Sequence, residues 1–258
     1  MSRQITIKPY RRAFRCPLRT AHGEWAIREG FIVRAERDGQ VSYGEVAPLP
    51  EFGSETLAEA GDFLRQLASQ PDLEVPSSLP CCAFALSAAR QETHPPRDYA
   101  VSALLPAGAS ALRQAAERMD VGYRSLKWKV GVEPIAKELV TARSLIESLP
   151  AEVRIRFDAN GGLTRAELEQ WLELLAQSPE QVDYIEQPLA CGEETTMAES
   201  MKASGVMIAL DESLNGVDGH RWLDMGAWAG PLVIKAPLMG EIAQLIAKLE
   251  PVAEQVVL

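Results

Sequence analysis

Five charged residues stand at the ends of short apolar runs along this chain. Lys129, Asp158, Glu186, Asp211 and Lys235 follow one another at spacings of 29, 28, 25 and 24 residues, closing the runs SLKWK, VRIRFD, VDYIE, MIALD and PLVIK. Three carboxylates brought together from neighbouring segments make an oxygen cage suited to a hard divalent cation, and Mg²⁺ in such a cage keeps positions open for water and a substrate carboxylate. A cation clamped on a carboxylate stabilises the dianion that forms when the adjoining C–H loses its proton. Lysines on either side, with pKa lowered by burial and by the cation, can take or return that proton near neutral pH. The pattern points to Asp158, Glu186 and Asp211 as ligands of Mg²⁺, and to Lys129 and Lys235 as catalytic lysines of carbon-acid chemistry.

The spacing also states what must position these groups. One short strand followed by one amphipathic helix takes about 25 to 30 residues, so each charged residue ends one strand of a repeating unit. Strands are expected at 98–104, 125–130, 153–158, 182–186, 207–211 and 231–235, with helices between them. The stretch Thr164 to Gln177, for example, carries Leu168, Trp171, Leu172, Leu174 and Leu175 on one broad face. Repetition of this kind makes a parallel sheet covered by helices. A doubly wound sheet would spread the five residues along an edge, whereas a (β/α) barrel gathers them at one mouth. Alternation along SLKWKV puts Lys127 and Lys129 on one face and Leu126, Trp128 and Val130 on the other. By the same parity Arg156 and Asn160 face inward with Asp158, which makes them, with Lys127, candidates for contact with substrate.

Residues 1–95 have a different grammar. An alternating strand at 4–14 precedes a hairpin of 30–36 and 41–46 around Asp38-Gly39, and helices at 54–70, capped by Ser54, and at 80–92 follow. Strands first and helices after make a small α+β unit. The expected architecture is an α+β capping domain over 1–95 and a (β/α) barrel over 96–258. After the helix of 241–254 only Val256, Val257 and Leu258 remain, so the barrel reads as truncated after six strands with the start of a seventh, where a barrel of this class takes roughly 250 residues.

Composition narrows the function classes. The 258 residues carry a net charge of −10 and are 47% hydrophobic, which gives ample core and sets the average surface against nucleic acid and anionic membrane. A soluble cytoplasmic protein acting on a small carboxylate is the expectation. His22, His94 and His220 lie outside the constellation. Cys16, Cys81, Cys82 and Cys191 show no CxxC spacing and read as reduced packing residues, and Trp171, Trp222 and Trp228 read as helix packing.

KWK (127–129), RFDAN (156–160), IEQP (185–188), LDES (210–213) and VIKAPLMG (233–240) resemble, in order and spacing, the strand motifs of the muconate-lactonizing-type branch of the enolase superfamily. Within that branch, GEVAPLPEFGSET (44–56) and VIKAPLMG resemble the o-succinylbenzoate synthases. The resemblance implies dehydration of 2-succinyl-6-hydroxy-2,4-cyclohexadiene-1-carboxylate, a step toward menaquinone or phylloquinone. It implies Mg²⁺ on Asp158, Glu186 and Asp211. Lys129 would remove the α-proton and return it to the departing hydroxide, Lys235 would steady the enediolate from the opposite side, and Lys127 would orient the carboxylate. A loop at 16–25 would close over the succinyl tail, helped by the turn at 50–54. Two lysines facing each other equally suit racemisation of an N-acylamino acid or dipeptide, and a shortened relative without activity is the third alternative.

Overall fold

The structure is a computed structural model and describes residues 4–20, 23–70, 72–90, 98–215 and 219–258. An antiparallel sheet opens the chain, with strands β1 (Gln4–Thr20), β2 (Gly23–Arg37) and β3 (Gln40–Val46) in that order. The turn joining β2 to β3 puts Asp38 at φ 52° and Gly39 at φ 79°, the two left-handed residues that a type I′ hairpin needs. The first two strands are longer than alternation alone indicates. Their pairing runs from Gln4 opposite Glu36 to Thr20 opposite Gly23, with an irregularity between Ala13 and Leu18 that lets it continue past the break in pattern.

Helices α1 (Leu57–Ser69) and α2 (Pro80–Ala88) pack on this sheet. Val33, Ala35, Val46, Leu64, Leu67 and Leu86 form the centre of their shared core. β3 lies so close to α2 that a Cβ on Gly44 would sit 1.9 Å from the Ala85 carbonyl oxygen, which only glycine permits. Thr56, and not Ser54, caps α1: its hydroxyl accepts from the Glu59 N–H while the Glu59 carboxylate accepts from the Thr56 N–H. Ser54 instead accepts from the Leu49 N–H at 2.7 Å and shapes the preceding turn. Cys81 and Cys82 are buried free thiols, and Cys191 is a free thiol at the surface, not a packing residue. The stretch 16–25, expected as a loop, is strand in its described residues, with 16–20 closing β1 and 23–25 opening β2; the side chain of Cys16 and residue 21, His22 and His94 lie outside the described residues.

A parallel five-stranded sheet follows, in the order β4 (Ala103–Leu105), β5 (Ser125–Lys129), β6 (Arg154–Asp158), β7 (Val182–Glu186) and β8 (Ile208–Ala209). Helices α3 (Ser110–Val121), α4 (Ile135–Ser148), α5 (Arg165–Leu175) and α6 (Glu194–Ser204) connect these strands. The first strand is later and shorter than expected, and Tyr99 and Val101, at the start of the expected segment, are exposed. Beyond β8, Leu210 bridges to Leu232 in parallel, leading to β9 (Leu232–Val233). After α7 (Ile242–Leu249), β10 (Val256–Val257) pairs in parallel with β9, so a seventh strand joins the six expected. The β9 segment is clipped because the chain turns into a 3₁₀ helix at Ala236–Leu238, where Pro237 has no N–H to continue a ladder. None of the helices among the described residues is long and apolar enough to cross a membrane.

Leu126, Trp128, Ile155 and Phe157 project from one face of the sheet into a core shared with the helices. Trp171 of α5 closes it, with its ring 5.3 Å from Phe157 and 6.3 Å from Trp128. Trp222 and Trp228, by contrast, lie outside α-helices; their rings meet edge to face at 6.1 Å, and the Trp228 indole N–H donates to the Ile208 carbonyl at 3.0 Å. Leu238 belongs to the core of the antiparallel unit, tying the two layers together.

The loop after β5 is held by a buried acid that no sequence motif announces. Glu138, 2% exposed in the first turn of α4, accepts from the N–H groups of Gly131, Val132 and Glu133, each at 2.9 Å. The first of these donors lies two residues beyond Lys129, so the acid fastens the turn that leaves the strand. Removing the acceptor in Glu138→Ala is expected to cost on the order of 3 kcal/mol, read as a lower urea midpoint, and an unchanged midpoint would contradict this anchoring role. Trp171→Ala, which empties the centre of the larger core, is expected to cost about 3–5 kcal/mol in the same measurement.

Candidate active site

The pleat of β5 is as the sequence required: Leu126 and Trp128 are fully buried, while Lys127 and Lys129 share the opposite face. Parallel register then sets the neighbours. Lys127 lies opposite Arg156, Lys129 opposite Asp158, Asp158 opposite Glu186 and Glu186 opposite Ala209, two residues before Asp211. The charged strand ends are thus gathered on one face.

Lys127 is the hub of this cluster. Its Nζ lies 2.7 Å from Glu186 Oε1 and 3.0 Å from Asp158 Oδ2. Lys235 makes the matching ion pair with Asp211 from the other side, and its ammonium stands 4.8 Å from the centre of the Phe52 ring. Lys129 has no ion-pair or hydrogen-bond partner among the described residues. Burial alone would lower the Lys127 pKa, but the Glu186 and Asp158 carboxylates outweigh it and raise the value. The expected lowering is therefore reversed at Lys127, which stays a cation.

Glu186 is fully buried, and desolvation, followed by repulsion from Asp158, pushes it up to about 8, with Asp211 adding to the rise. Its Oε2 is buried without a hydrogen-bond partner. An orphaned carboxylate oxygen among three acids is the donor chemistry of a hard cation site. The acids are neighbours and not the closed cage that the sequence pattern suggested. Among the described residues no three acidic, histidine or cysteine side chains are disposed to share one ion, and the ammonium groups of Lys127 and Lys235 pair with the carboxylates.

The two remaining sequence candidates part company. Arg156 faces inward, but its guanidinium donates to Asp183 at 3.0 Å and stacks over Tyr184 at 5.1 Å. A register shift after Ile155 brings Asp183 into reach. Arg156 is therefore a wall residue in this arrangement, committed to its neighbours on β7. Asn160 sits at the rim, left-handed at φ 44°, with its amide donating to Glu212 Oε1 at 3.0 Å and its Oδ1 buried and unpartnered. Burial, then the charge of Asp211, raises the pKa of Glu212.

Sequence reasoning missed Phe52, Glu212 and Gln187. Phe52 was only part of a turn; it reaches the site because Arg28 donates to the Ala47 and Pro48 carbonyls and Glu55 accepts from the Cys81 and Cys82 N–H groups, fastening the loop between. Trp25 braces its ring edge-on at 6.1 Å. His220 lies in a 3₁₀ segment apart from the cluster, its pKa lowered by burial and by Lys248.

Comparison with known proteins agrees with this geometry. Residues 110–244 match the family described as enolase C-terminal domain-like, and residues 3–93 match the MenC N-terminal domain. The o-succinylbenzoate synthase of Thermosynechococcus vestitus is 36% identical over 236 residues, covering 87% of this chain and 73% of the relative. A crystal structure of o-succinylbenzoate synthase from Thermosynechococcus elongatus, complexed with Mg in the active site, superposes with a TM-score of 0.89 at 32% identity over 98% of this chain and 83% of that one. The L-Ala-D/L-Glu epimerase of Bacillus subtilis, at 18% identity and a TM-score of 0.78 over 97% of this chain and 79% of its own, shares the fold. With its charged strand ends, its capping layer and this similarity over nearly the whole length, the chain belongs to the o-succinylbenzoate synthase family of the enolase superfamily.

Proposed function

We propose that this chain is an o-succinylbenzoate synthase, a lyase that removes water from 2-succinyl-6-hydroxy-2,4-cyclohexadiene-1-carboxylate on the route to menaquinone or phylloquinone, and that it works in the cytoplasm. The observation that carries the reading is the unequal state of the lysines around the acid cluster. Lys127 and Lys235 are bound to carboxylates, and Lys129, between them in the chain and next to Asp158 in register, has no such partner among the described residues. Lys129 is accordingly the amine placed to meet a substrate.

Asp158, Glu186 and Asp211 would hold Mg²⁺, with the orphaned Glu186 Oε2 as the clearest vacant donor. When bound, the ion supplies positive charge against the dianion that develops on the substrate carboxylate. Lys129 takes the proton from the carbon bearing that carboxylate. The electron pair released from the C–H bond returns to form a ring double bond as the C–O bond at the neighbouring carbon breaks, and the proton on Lys129 passes to the departing hydroxide, giving water and an aromatic ring. Lys235 holds a fixed cation on the opposite side, steadied by Asp211 and the Phe52 face. Lys127 contributes a second positive charge that orients the carboxylate. Two-sided proton exchange, as in an epimerase, needs a free amine on each side, and the ion pair on Lys235 favours the one-base dehydration.

We further propose that residues 1–95 act as the capping domain and 96–258 as the catalytic domain, with β4 to β10 forming part of a (β/α) barrel wall.

Lys129→Ala is expected to abolish product formation while leaving the melting temperature nearly unchanged; undiminished turnover would remove the base assignment. Mg²⁺ at a hundred times its dissociation constant is expected to stabilise the chain by about 2.7 kcal/mol, seen as a higher melting temperature that Glu186→Gln loses. A wild-type melting curve indifferent to Mg²⁺ would argue against the ligand set.

A further inference from the structure

Gln187 follows the fully buried Glu186 and is itself fully buried. It adopts a left-handed backbone, φ 37°, which a side chain of this kind rarely takes. Such strain persists only where the surroundings impose it. Here they do so completely. The Gln187 N–H donates to the Ala209 carbonyl at 2.8 Å, and its carbonyl accepts from the Gly161 N–H at 2.6 Å. Its side-chain oxygen accepts from the N–H groups of Asp211 and Ser213, both at 3.1 Å, while its amide nitrogen donates to the Leu189 carbonyl at 3.0 Å and to Ser213 Oγ at 2.7 Å. A primary amide has two donors and two acceptor sites, and all four are used.

The partners belong to the segments that carry all three acids. Gly161 follows Asp158 in the turn after β6; Ala209, Asp211 and Ser213 lie along and after β8; and Gln187 itself follows Glu186, the last residue of β7. Ser213 passes the connection on, its hydroxyl donating to the buried Glu194 at the start of α6 at 2.6 Å. Three strand ends are joined through one residue that points none of its atoms at the cluster's own charges.

We infer that Gln187 is a positioning residue: it fixes the mutual placement of Asp158, Glu186 and Asp211, and so sets the affinity of the site for a divalent cation. This rests on the metal reading above. Loss of a residue that orients ligands weakens metal binding by about ten- to a hundredfold, whereas a residue that merely stabilises the fold lowers the melting temperature without touching affinity in the folded protein.

The test uses the full chain and Mn²⁺ alone, followed by electron paramagnetic resonance under conditions where each variant is folded. Gln187→Met keeps the length of the side chain and removes its four hydrogen bonds; it is expected to bind Mn²⁺ at least tenfold more weakly than wild type. Ser213→Ala, which removes the hydroxyl linking Gln187 to Glu194, is expected to weaken binding about threefold and decides the matter if Gln187→Met does not fold. Leu64→Ala, in the core of the antiparallel unit, serves as a destabilised control and is expected to bind as wild type does. Wild-type affinity in the Gln187 and Ser213 variants, or an equal loss in Leu64→Ala, overturns the inference while leaving the metal site standing. Failure of the unaltered chain to bind Mn²⁺ overturns the metal reading and this inference with it.

Discussion

Burying carboxylates beside one another is the constraint around which this molecule is arranged. Glu186 is fully buried and Asp211 is 2% exposed, and like charges so close and so dry repel strongly. The lysines answer that cost. Lys127 lies between Asp158 and Glu186, and Lys235 pairs with Asp211. Parallel register makes the pairing available, since Asp158 stands opposite Glu186 on adjoining strands. The residual tension remains visible in the raised pKa of Glu186 and in its unpartnered oxygen. On the proposed reading, this residual charge is what a bound cation would neutralise.

Much of the remaining structure serves to keep those groups in place. Glu138 fastens the loop behind Lys129 with three hydrogen bonds, and Glu55 caps the N–H groups of Cys81 and Cys82 so that the turn carrying Phe52 stays against Lys235. Each is an acid buried on backbone donors. The aromatic packing of Trp128, Phe157 and Trp171 behind the sheet gives the strands a stiff backing, so that small groups on the other face are held to narrow positions. The antiparallel layer is joined to this framework through Leu238 and through the Ser87 hydroxyl, which accepts from the Ile242 N–H.

What could be read from the residues was governed by periodicity. Strand parity assigned Lys127 and Lys129 to one face, and the spacing of the five charged residues located β5 to β9 but not β4, which carries none of them, because both depend only on local geometry. Pairing across strands was less legible. Sequence parity put Arg156 inward but could not show that a register shift delivers Asp183 to it. Nor could it tell which inward lysine binds the acids, since Lys127 and Lys129 are equivalent until neighbouring strands are in register. The sequence reading takes Ser54 as the cap of α1; Thr56 holds that place, and Glu59 three residues beyond it was the signal that could have shown it. Gln187 and Phe52 lie inside the motifs IEQP and GEVAPLPEFGSET, but they owe their positions to contacts with segments far away in the chain, which those motifs alone do not state.

The most direct test is where a divalent cation comes to rest. Crystals soaked in Mn²⁺ and measured at its absorption edge should give one strong anomalous peak bounded by Asp158, Glu186 and Asp211, with the Lys127 ammonium displaced from between its two carboxylates. No peak there, or a peak elsewhere with Lys127 still bridging Asp158 and Glu186, would contradict the account of the acid cluster as a metal-dependent catalytic centre.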